Sequence, residues 1–99
     1  MDEIERLRGR IDALDRQLVA LLNERAACAQ AIGRLKLAAG VAVYQPAREA
    51  EVLAQVRAAN HGPLSDEALS RLFERVIDEA RYLERHASEG QRAEGDGPE

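Results

Sequence analysis

Apolar residues recur along the first third of the chain in alternating steps of three and four: Ile4, Leu7, Ile11, Leu14, Leu18, Leu21, then Cys28, Ile32 and Leu35. That spacing is the heptad seam of one long helix, predicted from about Asp2 to Ala38. Gly40 follows as a C-terminal cap. Gly9 and Gly33 fall inside the helix, where each costs about 1 kcal/mol relative to Ala and close helix packing is the reason to keep it. A second helix begins near Pro46, a residue suited to a first helical position, and carries Val52, Leu53, Val56 and Ala59 on one face. It ends at Asn60-His61-Gly62-Pro63. A third starts with Ser65 as N-cap, followed by Asp66 and Glu67, with Leu64 and Leu69 at staple spacing. Its stripe is Leu69, Leu72, Phe73, Val76, Ile77, Ala80 and Leu83. No stretch alternates convincingly at period two, so the expected class is all-α, three helices with one very long N-terminal helix.

Length turns this pattern into an assembly. A helix of that extent measures roughly 54 Å at ~1.5 Å per residue. A compact domain of this size has a radius of gyration near ~13 Å. Two shorter helices cannot cover the seam, and a second long helix can. The expectation is an intertwined homodimer.

Composition narrows the rest. Ninety-nine residues allow one domain, assigned here to residues 1–87, with 88–99 a polar segment read as a disordered tail or a severed linker. A net charge of -4 and 3% aromatics argue against a nucleic-acid surface, a stacking platform or an anionic-membrane binder. Cys28 is the lone cysteine, which excludes an internal disulfide and a cysteine metal cluster. Neither a membrane-spanning run nor a secretory signal is present, so a cytoplasmic location is expected.

Polar residues interrupt the apolar pattern at a few places. Leu21 plus four is Arg25, and Arg25 plus three is Cys28, so a guanidinium occupies a seam position. It snorkels to solvent, pairs with a core carboxylate, or meets an anionic ligand, because an unpaired buried charge is very costly. Lys36, the one lysine among fourteen basic residues, lies eleven residues further on the same side, roughly 16 Å along the axis. It is either a solvated helix-end cation or the second grip on a small anion. Arg8 precedes Arg25 by ~25 Å and reaches the same ligand only from an antiparallel partner chain. Glu49 leads the inward stripe of the second helix, with Arg48 beside it as either a surface ion-pair partner or a site residue. Glu84 extends Phe73, Ile77 and Ala80 and puts a carboxyl on the apolar face, or at a helix end open to solvent. Metal-ligand spacing, glycine-rich phosphate loops and a nucleophile–base pair are all missing; His61 and His86 fall in a loop and near the tail. A pocket of cations without a proton shuttle points to chemistry by positioning and electrostatics on a small polyanion.

These residues stand in an order that resembles the all-helical chorismate mutases. The matching text includes Leu7-Arg8-x-x-Ile11-Asp12-x-Leu14-Asp15, Leu21-Leu22-x-Glu24-Arg25, Ile32-Gly33-Arg34-x-Lys36, Arg48-Glu49, and Leu72-Phe73-x-x-Val76-Ile77-Asp78-Glu79. Asn60-x-Gly62-Pro63-Leu64 agrees with the mutase domain joined to prephenate dehydratase in bifunctional proteins. The resemblance implies conversion of chorismate to prephenate, a [3,3] Claisen rearrangement in phenylalanine and tyrosine biosynthesis, with no cofactor, metal or covalent intermediate. It implies that Arg25 and a partner's Arg8 hold the substrate carboxylates and that Lys36 and Glu84 flank the ether oxygen. Glu49 would accept from the ring hydroxyl and Arg48 would brace the pocket. Gln45 stands where the pattern has Asp, whose contact is through the backbone amide, and Ala80 stands where one member has Ser. Two rivals share the features: an isochorismate pyruvate-lyase on the same fold, and a non-catalytic helical dimerisation domain.

Overall fold

The computed structural model describes residues 2–87; the 88–99 segment, read above as a tail or linker, lies outside the described residues. Three helices account for most of the described chain: α1 (Asp2–Ala39), α2 (Pro46–Ala59) and α3 (Asp66–Arg85). The expected order, starts and ends hold to within a residue or two. At the end of α1, Gly40 takes φ +69°, a conformation that favours glycine. Its amide donates to the Leu37 carbonyl, and the Val41 amide donates to the Lys36 carbonyl at 2.9 Å, which closes a Schellman cap. Pro46 opens α2, and Ser65 caps α3 by accepting from the Ala68 amide at 3.0 Å.

The helices form a sheet-like layer, 53 × 36 × 14 Å, with a radius of gyration of 17.4 Å. Its thickness is little more than one helix diameter of about 10–12 Å. α3 packs on both α1 and α2, which do not pack on each other. Among the described residues only Ala29, Ile77 and Ala87 are buried apolar side chains. The α1 seam is bare: Ile4, Leu7, Ile11, Leu14, Leu18, Leu21, Ile32 and Leu35 are all exposed. A domain is normally stabilised by two packed layers, and the described residues supply one.

The face of α1 that meets α3 is a stripe of small residues. Ala29 and Gly33 are buried, one turn apart. A Cβ on Gly33 would stand 2.7 Å from the Glu84 Cα and 2.8 Å from its carbonyl oxygen, so only glycine lets the backbones approach this closely. Close packing is the expected reason for both interior glycines, and among the described residues it holds for Gly33 alone. Nothing lies within 4 Å of a Cβ on Gly9, because α3 does not extend to that end of α1.

Candidate active site

A cavity of about 560 Å³ opens where the last third of α1, the 40–45 loop, the first turns of α2 and the end of α3 converge. That is a usual size for a small-molecule site. Its apolar wall includes Ile32, Val43, Val52 and Ile77, and its polar lining includes Arg25, Lys36, Gln45, Arg48, Glu49, Arg81 and Glu84. The close approach at Gly33 makes one end of this cavity. With α1 and α3 backbones nearly touching, Lys36 one turn beyond Gly33 meets Glu84 directly. Lys36 Nζ donates to Glu84 Oε1 at 2.8 Å and to the Val43 carbonyl at 3.1 Å. Their side chains are 19% and 15% exposed, so neither is a freely solvated helix-end charge. Val43 ties the loop to the same ammonium.

Within a turn of Glu84, α3 also reaches α2. Arg81 Nε donates to Glu49 Oε2 at 3.0 Å and Nη2 donates to Oε1 at 2.9 Å, a bidentate pair with both partners half-buried. The guanidinium carbon lies 5.4 Å from the Tyr44 ring centroid. The hydrogen bonds to Glu49 raise the Arg81 pKa above its ordinary value against the opposing pull of desolvation. Arg48 turns away from Glu49 and pairs with Glu51 at 2.6 Å on the exposed side of α2. Gln45 donates to the Ala42 carbonyl at 3.0 Å and offers no side-chain cap to α2.

Arg25, half-buried, also lines the cavity and makes no ion pair or hydrogen bond among the described residues. An uncompensated guanidinium in a partly apolar pocket is a strong anion receptor. The described residues contain no group of three His, Cys, Asp or Glu able to hold a metal, and none of their helices is long and apolar enough to cross a membrane.

The model of the family described as chorismate mutase type II matches residues 7–85. The chain belongs to that family. It is 47% identical over 78 residues to the bifunctional chorismate mutase/prephenate dehydratase of Neisseria gonorrhoeae, covering 79% of this chain and 21% of that protein. The Pseudomonas aeruginosa protein of the same description is 43% identical over 88 residues, covering 84% of this chain and 24% of its own length. The chain thus spans about a fifth to a quarter of the curated relatives it matches. Among solved structures, chorismate mutase form II from Thermus thermophilus superposes with a TM-score of 0.82 at 38% identity, over 84% of this chain and 94% of that one. The chorismate mutase of Helicobacter pylori, solved in complex with prephenate, gives 0.81 at 30% identity, over 90% and 97%.

Of the positions singled out by the chorismate mutase resemblance, one chain brings Arg25, Lys36, Gln45, Arg48, Glu49 and Glu84 to one cavity. Arg8 does not join them; it is exposed toward the far end of α1. The Arg48–Glu49 surface pair considered from sequence does not form, because Glu49 is taken by Arg81 and Arg48 by Glu51. Sequence reasoning missed Arg81. The signal was present, since Arg81 is four residues after Ile77 and three before Glu84, the span of the α3 stripe that faces the cavity.

Proposed function

We propose that this chain is a chorismate mutase that converts chorismate to prephenate, working as a homodimer with two shared sites. The observation that carries the reading is the combination of an unpaired Arg25 and a half-buried Lys36–Glu84 pair in one cavity. Chorismate is a dianion with an ether bridge. Arg25 suits one carboxylate, preferably with its two-pronged fork. The rearrangement breaks a C–O bond as a C–C bond forms in the same molecule, so it needs no nucleophile and no proton transfer. Negative charge grows on the ether oxygen as the bond breaks. Lys36 would donate to that oxygen, and Glu84 would donate from its other side when protonated. Glu49 would accept from the ring hydroxyl, Arg48 would close the pocket, and Gln45 would contribute through its backbone amide. Much of the work is to hold the reactive chair, which lowers the entropic part of the barrier. The prephenate held by the Helicobacter pylori neighbour supports this substrate class.

The dimer follows from the bare seam. Eight exposed Leu and Ile side chains on one face of α1 need an apolar partner, and a second α1 matches them in length. An antiparallel copy would bring Arg8 of the partner subunit to Arg25. Incubation with chorismate, with the product identified by NMR, tests the activity. Prephenate is expected. Pyruvate released from isochorismate with no turnover of chorismate would favour the lyase, and turnover of neither would favour a dimerisation domain. Sharing of the site is tested by mixing Arg8→Ala and Arg25→Ala, each nearly inactive alone. In a two-fold dimer random exchange should restore about a quarter of wild-type activity. Exchange without recovery would place Arg8 outside the site.

A further inference from the structure

Arg81 is the cavity-lining cation that the chemistry above leaves without a task. Three elements hold it. Its fork closes on Glu49 of α2 with bonds of 2.9 and 3.0 Å. The Tyr44 ring of the 40–45 loop lies under its face, and Asp78 Oδ1, one turn back on α3, stands 3.5 Å from Nη2. Such a guanidinium has little freedom to swing. A carboxylate has about four lone-pair sites, so a bidentate arginine occupies two and leaves two to accept from another donor. Glu49 is therefore aimed without being saturated.

Charge gives a second argument. Four cations, Arg25, Lys36, Arg48 and Arg81, and two carboxylates, Glu49 and Glu84, line the cavity. With Arg48 neutralised by Glu51, the lining carries one positive charge in excess with Arg81 and none without it. A dianion approaching Glu49 with no cation behind that carboxylate would meet its negative charge unopposed.

Resting on the chorismate mutase reading, we propose that Arg81 is a positioning residue, which aims the Glu49 carboxylate at the ring hydroxyl of the substrate and cancels the repulsion between that carboxylate and the dianion. The alternative is a tether that only ties α2 to α3. The two differ in what is lost. A tether acts on folding, whereas an aiming residue acts on substrate binding through Glu49 and through nothing else.

Arg81→Lys keeps the charge and cannot reproduce the fork. Steady-state kinetics and thermal melts on the dimer, for Arg81→Lys, Glu49→Gln and the double variant, separate the roles. Arg81→Lys should keep its melting temperature and raise KM about tenfold with kcat within about twofold, the signature of binding made equally in ground and transition states. In the Glu49→Gln background the same change should alter KM less than about twofold, because the coupling runs through one carboxylate. Arg81→Met, which keeps the stem over Tyr44 and removes the charge, should raise KM further. A wild-type KM in either folded variant, or effects that add in the double variant, would overturn the proposal. A lowered melting temperature with KM unchanged would show a tether. Absence of wild-type turnover would overturn the activity itself and this role with it.

Discussion

The two ends of α1 are one continuous helix with opposite surroundings. From Asp2 to Leu21 its residues are exposed apart from half-buried Ala13, although this stretch holds the most regular leucine and isoleucine pattern in the chain. From Arg25 to Lys36 the helix buries Ala29 and Gly33, half-buries two charged residues, and lines the cavity. The contrast separates two kinds of sequence signal. A strong apolar seam states that something must cover it, and here none of the described residues does. Small residues and misplaced charges make a weaker pattern, yet they mark where helices meet closely enough to build a site.

The hardest blow to this picture is to remove the need for a cover. Leu14→Asp with Leu18→Asp puts two charges on the bare end of the seam. Full burial of a leucine contributes about 1.5–3 kcal/mol, and a symmetric dimer loses four, on the order of 6–12 kcal/mol. That is comparable to the whole stability of a typical domain, about 5–15 kcal/mol. The double variant should lose its dimer, much of its helicity and its activity, read by sedimentation velocity, circular dichroism and the chorismate assay. A folded, active dimer would mean that the seam is not the interface.

The next largest effect belongs to the packed end. Lys36→Ala removes the ammonium proposed to meet the ether oxygen. Loss of one such donor costs about 2.7–4 kcal/mol, a factor of ~10²–10³ in kcat. The dimer should persist, since Lys36 lies outside the leucine run. Turnover within a few-fold of wild type would return Lys36 to a structural role, bridging Glu84 and the Val43 carbonyl.

How much of this could be read from the chain depends on whether a feature is local. Gly40 and Pro46 set helix ends through their own backbones and Ser65 through its hydroxyl, and each is found where the pattern places it. Glu84 is legible as a misfit on an apolar face, and Lys36 as the sole lysine on the side of α1 that carries Arg25. The Arg81–Glu49 pair is not. Arg48 is adjacent to Glu49 in sequence and drew the assignment, whereas Arg81 is 32 residues away and reaches it only because α3 packs across α2. Partner choice between charges on different helices is fixed by tertiary packing, which no spacing rule within one helix contains.

The glycines sharpen the comparison at smaller cost. Gly33→Ala must push the Glu84 backbone aside, and overpacking of this kind costs typically about 1–3 kcal/mol. Gly9→Ala meets nothing within its own chain and gains about 1 kcal/mol of helix propensity. Urea unfolding at one fixed protein concentration should therefore give opposite signs for the two. A loss at Gly9 as large as at Gly33 would mean that the partner chain passes as closely there as α3 does at Gly33.

The smallest change in rate is expected when the Glu84 donor is exchanged for another. In the structure without substrate its carboxylate accepts from Lys36 at 2.8 Å. With chorismate in place, an ionised Glu84 would face an ether oxygen that is gaining negative charge, and would oppose the reaction. A protonated Glu84 would instead donate a hydrogen bond to it. Glu84→Gln keeps the shape and an N–H donor. It should retain kcat within roughly tenfold of wild type, because one donor is exchanged for another rather than deleted. Glu84→Ala, which removes the donor, should lose more, on the order of 10²-fold in kcat. Equal losses for the two variants would mean that Glu84 donates nothing to the ether oxygen, and the carboxylate would then serve only to orient Lys36.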